Sequence, residues 1–197
     1  MAVERVFITG AAGFIGRTLA GRYRAGGAEV RGVDAHDDPA QGIVAGDVSA
    51  AGPWQDHAAG CDLVIHTAAI VNNSAPLQRC WEVNVLGVRR AIDAAVAGGA
   101  QRVVHLSSVR AFSDLDFPDG VDESHPVRPD GHRYVGTKVA SGQVALQAHA
   151  AGEVPVTVIR PGDVYGPGCE PWVNRPLRMM RSHQMLLVDG GRGHFAH

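Results

Sequence analysis

Several things are scarce in this chain, and each shortage excludes a class of protein. No apolar run reaches the roughly 18 residues that a membrane-spanning helix needs, so a membrane protein is not expected. Eighteen Lys and Arg stand against 20 Asp and Glu, for a net charge of −2, so no broad positive surface draws the chain to nucleic acid or anionic lipid. The three cysteines, Cys61, Cys80 and Cys169, cannot all pair with one another, and they sit in or beside apolar segments. That usage suits reduced thiols in a cytoplasm. The ten histidines fall in no HExxH pattern and no CxxC occurs, so no metal site is expected. The opening MAVERVFITG carries an acid and runs straight into a strand-like segment, unlike a secretory leader. Internal repeats and low-complexity segments are missing too.

What is present is ordinary globular material. Hydrophobic residues make up 45% of 197, enough for one domain with a sizeable core. Short apolar runs alternate with longer helical patterns. Strands are expected within 5–10, 28–34, 42–48, 61–69, 101–108 and from 154 onward. Helices are expected over 14–27, 77–100 and 131–152, the first two ending at paired glycines. Strands that are apolar almost throughout are buried on both faces, and alternation with helices makes them parallel. The fold class is therefore α/β, a doubly wound parallel sheet. The segment 109–130 is polar and long for a loop, which points to function. His66 and His105 lie inside apolar strands and read as core histidines with satisfied nitrogens.

The stretch TGAAGFIG places Gly10, Gly13 and Gly16 at a three-residue period, with Phe14 and Ile15 opening the helix. The first glycine permits a sharp turn, the second lets backbone approach a pyrophosphate, and the third lets helix pack on strand. The helix N-terminus then offers free N–H groups and a positive dipole end to phosphates. Asp34 closes the second strand eighteen residues after Gly16. An acid there can accept from ribose hydroxyls and would repel a 2′-phosphate. Ala35 and His36 follow it, not arginine, so NAD is favoured over NADP. Tyr134 and Lys138, in RYVGTK, are four residues apart and share a helix face. A free tyrosine has a pKa of about 10, and a nearby lysine ammonium would bring it toward working pH.

Taken in order, TGAAGFIG (9–16), Asp34, GDV (46–48), HTAA (66–69), VNVLG (83–87), LSSV (106–109), YVGTK (134–138) and RPGDVYGPG (160–168) resemble the extended short-chain dehydrogenase/reductase family. That family includes the NAD-dependent epimerases and dehydratases and the 3β-hydroxysteroid dehydrogenase-like enzymes. The resemblance implies a Rossmann fold over 1–168, with 169–197 the incomplete start of a small substrate-binding region. It implies that Asp47 and Val48 hold the adenine edge. Thr67, Ala68 and Ala69 would line the cofactor, with Ser107 beside it, and Pro161, Gly162 and Val164 would pass the nicotinamide end. Ser108 would hydrogen-bond the substrate oxygen. Tyr134 would be the acid/base, and Lys138 would bind the nicotinamide ribose and tune the tyrosine. Asn84 would stand near both cofactor and active site. A small-molecule substrate and a homodimer paired through helices 77–97 and 132–151 are implied as well.

Three departures narrow the choice. Val109 and Arg110 stand where dehydratases of the family carry an Asp-Glu pair. Asp163 replaces an asparagine that helps sugar-nucleotide enzymes hold a diphosphate. Phe112 and Ser113 replace an aromatic-glycine ending. The expected function is NAD-dependent hydride transfer at a secondary alcohol or ketone, with a steroid- or alcohol-like substrate. A nucleotide-sugar epimerase and a non-catalytic NAD(P)-binding regulator are the alternatives.

Overall fold

The computed structural model describes residues 3–71, 74–113, 120–186 and 188–192. It divides into two compact units, Met1–Arg160 and Pro161–His197.

The first unit is built on six parallel strands: β1 (Arg5–Thr9), β2 (Glu29–Asp34), β3 (Ile43–Ala45), β4 (Leu63–His66), β5 (Arg102–Leu106) and β6 (Val156–Ile159). Their order is β3-β2-β1-β4-β5-β6, so the chain reverses direction across the sheet between β1 and β4. This is the doubly wound arrangement, and ligands bind at such a reversal, outside the carboxyl ends of the strands.

Side-chain alternation sorts the core into two layers. Phe7, Val64, Val103 and Val156 lie in one register row and face one layer, with Trp54, Val88, Ile92, Ala145 and Ala148. Val6, Ile8, Val30, Leu63 and Ile65 face the other, with Ala20 of the first helix. Helix α1 (Phe14–Ala25) follows β1. Helix α2 (Leu77–Trp81) passes through a π-helical turn, Glu82–Leu86, into α3 (Gly87–Gly98). Helix α4 (Arg133–Ala150) buries Val135, Lys138, Ser141, Gly142, Ala145 and Ala148, a stripe at helical spacing.

The strands are shorter than the sequence predicts. β3 is 43–45 rather than 42–48, and its last bond to β2 runs from the Gly46 N–H to the Asp34 carbonyl at 2.8 Å. β5 stops at Leu106, so Ser108 does not end a strand. It caps a 3₁₀ turn, Val109–Phe112, and its hydroxyl accepts from the Arg110 N–H at 3.2 Å. The expected helix over 77–100 is interrupted by the π turn, which leaves no mark in the hydrophobic pattern. The expected loop 109–130 begins with that 3₁₀ turn, and its part at 114–119 lies outside the described residues.

The second unit holds a π-helical turn, Glu170–Asn174, and α5 (Arg175–Arg181), linked by an ion pair between Glu170 and Arg178. Among the described residues no helix is long and apolar enough to cross a membrane.

Candidate active site

The glycine turn leaves β1 at its carboxyl end. Gly10 has φ +70°, and a Cβ there would lie 2.8 Å from both the Ala68 nitrogen and the Thr67 hydroxyl. Thr67 holds this junction from the β4 side, with its hydroxyl donating to the Thr9 carbonyl at 2.7 Å. A Cβ on Gly16 would lie 2.0 Å from the Gly10 carbonyl oxygen, so only glycine lets α1 sit this close to the turn. No side chain caps α1 at Gly13, and no acid lies in its first turn. Its leading N–H groups, from Phe14 on, are left for a ligand, and the helix dipole makes that ligand an anion. The cradle fits the diphosphate of a dinucleotide.

Asp34 reaches the same turn from β2. One carboxylate oxygen accepts from the Ala12 N–H at 2.9 Å and the other from the Ala35 N–H at 2.7 Å. Each carboxylate oxygen has a second lone pair that a ribose hydroxyl could use. Asp47 and Val48 behave differently from each other. The Asp47 carboxylate takes Arg79 at 2.8 Å and the Ser49 N–H at 2.9 Å, while Val48 is buried against Gly87. Ser49 and Glu82 also take Arg79, a cluster that the sequence reading missed.

Asn84 lies on the π turn and is 2% exposed. Its carboxamide accepts from the Ile70 N–H at 2.7 Å, donates to the Ile70 carbonyl at 3.0 Å and donates to the Thr137 hydroxyl at 3.1 Å. With three bonds made inside the protein, it joins the strand-end stretch of Thr67, Ala68 and Ala69 to helix α4. Thr137 was missed by the sequence reading, and its place beside Lys138 was the available signal.

Ser108, Tyr134 and Lys138 come together at the carboxyl edge of β5. The Ser108 hydroxyl lies near enough to the Tyr134 phenol to favour its ionised form. The Lys138 ammonium is 5.8 Å from the Tyr134 ring centre and donates to the Leu106 carbonyl at 2.9 Å. Burial alone lowers the Lys138 pKa to about 8. On balance the Tyr134 phenol is held above its ordinary value, because burial outweighs the opposing pull of the Ser108 hydroxyl and the Arg110 charge. A second cation, Arg110, lies about as close, its guanidinium carbon 5.6 Å from the ring centre. Ser107 is buried, with its N–H on the Ile159 carbonyl at 2.7 Å and its hydroxyl 3.4 Å from the Lys138 carbonyl.

Ser113 departs from the family's glycine and still takes a glycine conformation, φ 89° and ψ 156°. A side chain in that region costs on the order of 1–3 kcal/mol, a strain held at the exit of the Ser108 turn. Pro161, Gly162 and Val164 belong to the second unit, in a stretch without regular helix or strand.

The two core histidines are only half satisfied, which corrects the sequence reading. His66 Nδ1 meets the Thr9 hydroxyl at 2.7 Å and His105 Nε2 meets the Ser141 hydroxyl at 3.1 Å. His66 Nε2 and His105 Nδ1 have no partner among the described residues. The rings are register partners on β4 and β5, 5.6 Å apart. Burial lowers the His66 pKa to about 3, with Lys138 adding to it, and lowers His105 through burial and the neighbouring charges. Both must stay neutral in the fold, whereas the unfolded chain protonates them near their ordinary value. Stability is therefore present above pH about 6.5 and falls below it, by up to about 1.4 kcal/mol per pH unit for each histidine. Thermal melts from pH 7 to pH 5 should show this loss, and a His66→Gln variant should show a shallower slope. An identical slope would mean that His66 is already charged in the fold.

This is a doubly wound dinucleotide fold with a Ser-Tyr-Lys group at the carboxyl edge of its sheet. The chain belongs to the NAD dependent epimerase/dehydratase family, whose family model matches residues 6–186. It is 32% identical over 197 residues to a 4-hydroxy-2-methyl-3-oxo-4-farnesyl-3,4-dihydroquinoline-1-oxide ketoreductase of Stigmatella aurantiaca, covering 95% of this chain and 58% of the relative. It is 29% identical over 199 residues to a 3-beta-hydroxysteroid dehydrogenase of Mycolicibacterium neoaurum, covering 93% of this chain and 54% of the relative. Among solved structures it resembles MoeE5 in complex with UDP-glucose and NAD, with 31% identity and TM-score 0.77, over 90% of this chain and 62% of that one. The chain thus spans little more than half the length of these curated relatives. The family is NAD-dependent, and NAD is the nucleotide bound in that solved relative.

Proposed function

We propose that the protein is an NAD-dependent oxidoreductase acting at a secondary alcohol or ketone. The observation that carries this reading is the convergence of Ser108, Tyr134 and Lys138 at the carboxyl edge of a sheet whose first turn is a diphosphate cradle. Bound NAD supplies the acceptor for a hydride leaving the carbinol carbon. The protein's part is to hold the carbinol oxygen on the Ser108 hydroxyl and take its proton on the Tyr134 oxygen. Lys138 holds the nicotinamide ribose. Gly10, Gly13 and Gly16, with the first N–H groups of α1, take the diphosphate, and Asp34 takes the adenosine ribose. Asp47 and Val48 would border the adenine through backbone, because the Asp47 carboxylate is committed to Arg79. Pro161, Gly162 and Val164 would border the nicotinamide.

The substrate is proposed to be steroid- or alcohol-like. Val109 and Arg110 lack the acid pair for water elimination, and Asp163 is an anion where a diphosphate would need a donor. Likeness to a protein solved with UDP-glucose supports a second reading, nucleotide-sugar oxidation or epimerisation. Residues 169–197 would begin the substrate-binding region. Three buried free thiols suit a cytoplasmic setting. A homodimer through α2–α3 and α4 is supported by exposed Leu77, Trp81 and Val96 on the first pair and Leu146 on the second.

The test is NADH formation with hydroxysteroids, simple secondary alcohols and nucleotide sugars as three arms. Turnover of the first two supports the proposal, turnover of sugars alone supports the second reading, and NAD binding without turnover in any arm opposes both. Cofactor choice has its own check. Asp34→Asn should narrow the preference for NAD over NADP by about tenfold, since a like charge beside a 2′-phosphate is removed. Calorimetry with both nucleotides reads this, and an unchanged ratio would place discrimination elsewhere.

A further inference from the structure

Two cations lie over the Tyr134 ring, and one of them, Arg110, does not come from its own helix. Arg110 sits on the 3₁₀ turn Val109–Phe112, the turn that Ser108 caps, so one short element carries both the hydroxyl beside the phenol and the guanidinium over its ring. Helix α4 packs directly against this turn.

Among the described residues, the charges near the phenol can be named. Lys138 comes from its own helix, 5.8 Å from the ring centre, and its ammonium also donates to the Leu106 carbonyl. Other charged groups on segments packed against α4 face elsewhere: Arg79 pairs with Asp47 and Glu82, and Arg89 with Asp93 and Glu153. Asn84 and Thr137, on the side of the π turn, are neutral and bonded to each other. Arg160 lies over Phe112, 5.2 Å from that ring, and not over Tyr134.

We propose that Arg110 is a positioning residue for Tyr134: its guanidinium, held over the ring by the turn after β5, supplies a permanent positive charge that favours the ionised phenol. The inference rests on the reading of Tyr134 as the acid/base. Its physical basis is a division of labour between two cations. Burial leaves Lys138 with a pKa of about 8, so its charge fades across the range in which a tyrosine titrates. An arginine does not lose its charge there. Where the family's dehydratases carry acids after the serine, this chain has put a cation, and an anionic neighbour would have the opposite effect on a phenol.

The test needs a readout independent of turnover. Tyrosinate absorbance is followed against pH in the wild type, Arg110→Gln and Arg110→Lys, each referenced to the same protein carrying Tyr134→Phe, which removes the signals of Tyr23 and Tyr165. The midpoint of Tyr134 should move to higher pH in Arg110→Gln and stay near wild type in Arg110→Lys. Arg160→Gln should leave it in place. If a substrate turns over, kcat/KM for alcohol oxidation in Arg110→Gln should be about tenfold lower at pH 7 and should converge on wild type as pH rises through the tyrosine titration. A purely structural role would lower the rate by the same factor at every pH. An unmoved midpoint in Arg110→Gln overturns the proposal, and so does Arg110→Lys behaving like Arg110→Gln. A moved midpoint with Tyr134→Phe still turning over would leave the Arg110 effect standing and overturn the proton-transfer role instead.

Discussion

Tyr134→Phe is expected to lower turnover by about 10²–10⁴-fold, the usual worth of a positioned acid/base, and to leave NAD binding intact. The two effects separate because the phenol oxygen and the ring do different things. The ring lies beside Arg110 and Lys138 and is retained in phenylalanine. The oxygen, which lies beside the Ser108 hydroxyl, is lost. The Ser108 hydroxyl keeps its acceptor role toward the Arg110 N–H, so the 3₁₀ turn has no reason to open. The stability cost should therefore be about 1 kcal/mol, that of one hydrogen bond. Stopped assays with NAD and the best alcohol from the substrate arms measure the rate, and calorimetry measures the affinity. Retained turnover would make Tyr134 a structural partner of Ser108 and sink the proposed chemistry.

Gly16→Ala is the second large effect, and it acts on the fold and on the cofactor together. The added methyl would lie 2.0 Å from the Gly10 carbonyl oxygen, 2.8 Å from its carbon and 2.9 Å from the Ala11 Cα. All three are backbone atoms of the turn itself, so no side chain can swing aside. Either α1 lifts from β1 or the turn distorts. Overpacking of this kind costs about 1–3 kcal/mol, and a backbone clash belongs at the upper end. Displacing the helix end also moves its N–H groups from the diphosphate, so NAD affinity should fall by tenfold or more, about 1.4 kcal/mol. Gly21→Ala is the control, on the same helix with nothing within 4 Å of the added carbon. It should stabilise by about 0.5–1 kcal/mol through helix propensity. Equal melting temperatures for the two variants would mean that the close approach at Gly16 carries no weight.

These residues show what a sequence can and cannot disclose. The glycine turn, Asp34 and the Tyr134–Lys138 pair were legible because their geometry is local: a turn conformation, a strand end and one helix period. The doubly wound parallel class followed from the alternation of apolar strands with helices. The π turn was not legible, because its sequence, EVNVL, carries no proline or glycine to mark a break. The partners of Asn84 were hidden for a related reason, since Ile70 and Thr137 are 14 and 53 residues away. Arg110 was visible as a departure from a pattern, but its effect on Tyr134 depends on how the turn after β5 meets α4. The histidines were rightly placed in the core, while their half-filled bonding depends on register between β4 and β5.

The three bonds of Asn84 have a mechanical consequence. One carboxamide grips the main chain of Ile70 at two points and the hydroxyl next to Lys138 at a third. The stretch after β4 and the helix bearing Tyr134 and Lys138 are thereby riveted into one plate. Whatever opening and closing a turnover cycle demands, the hinge must lie outside that plate, because bending within it would tear a buried amide from partners it cannot replace.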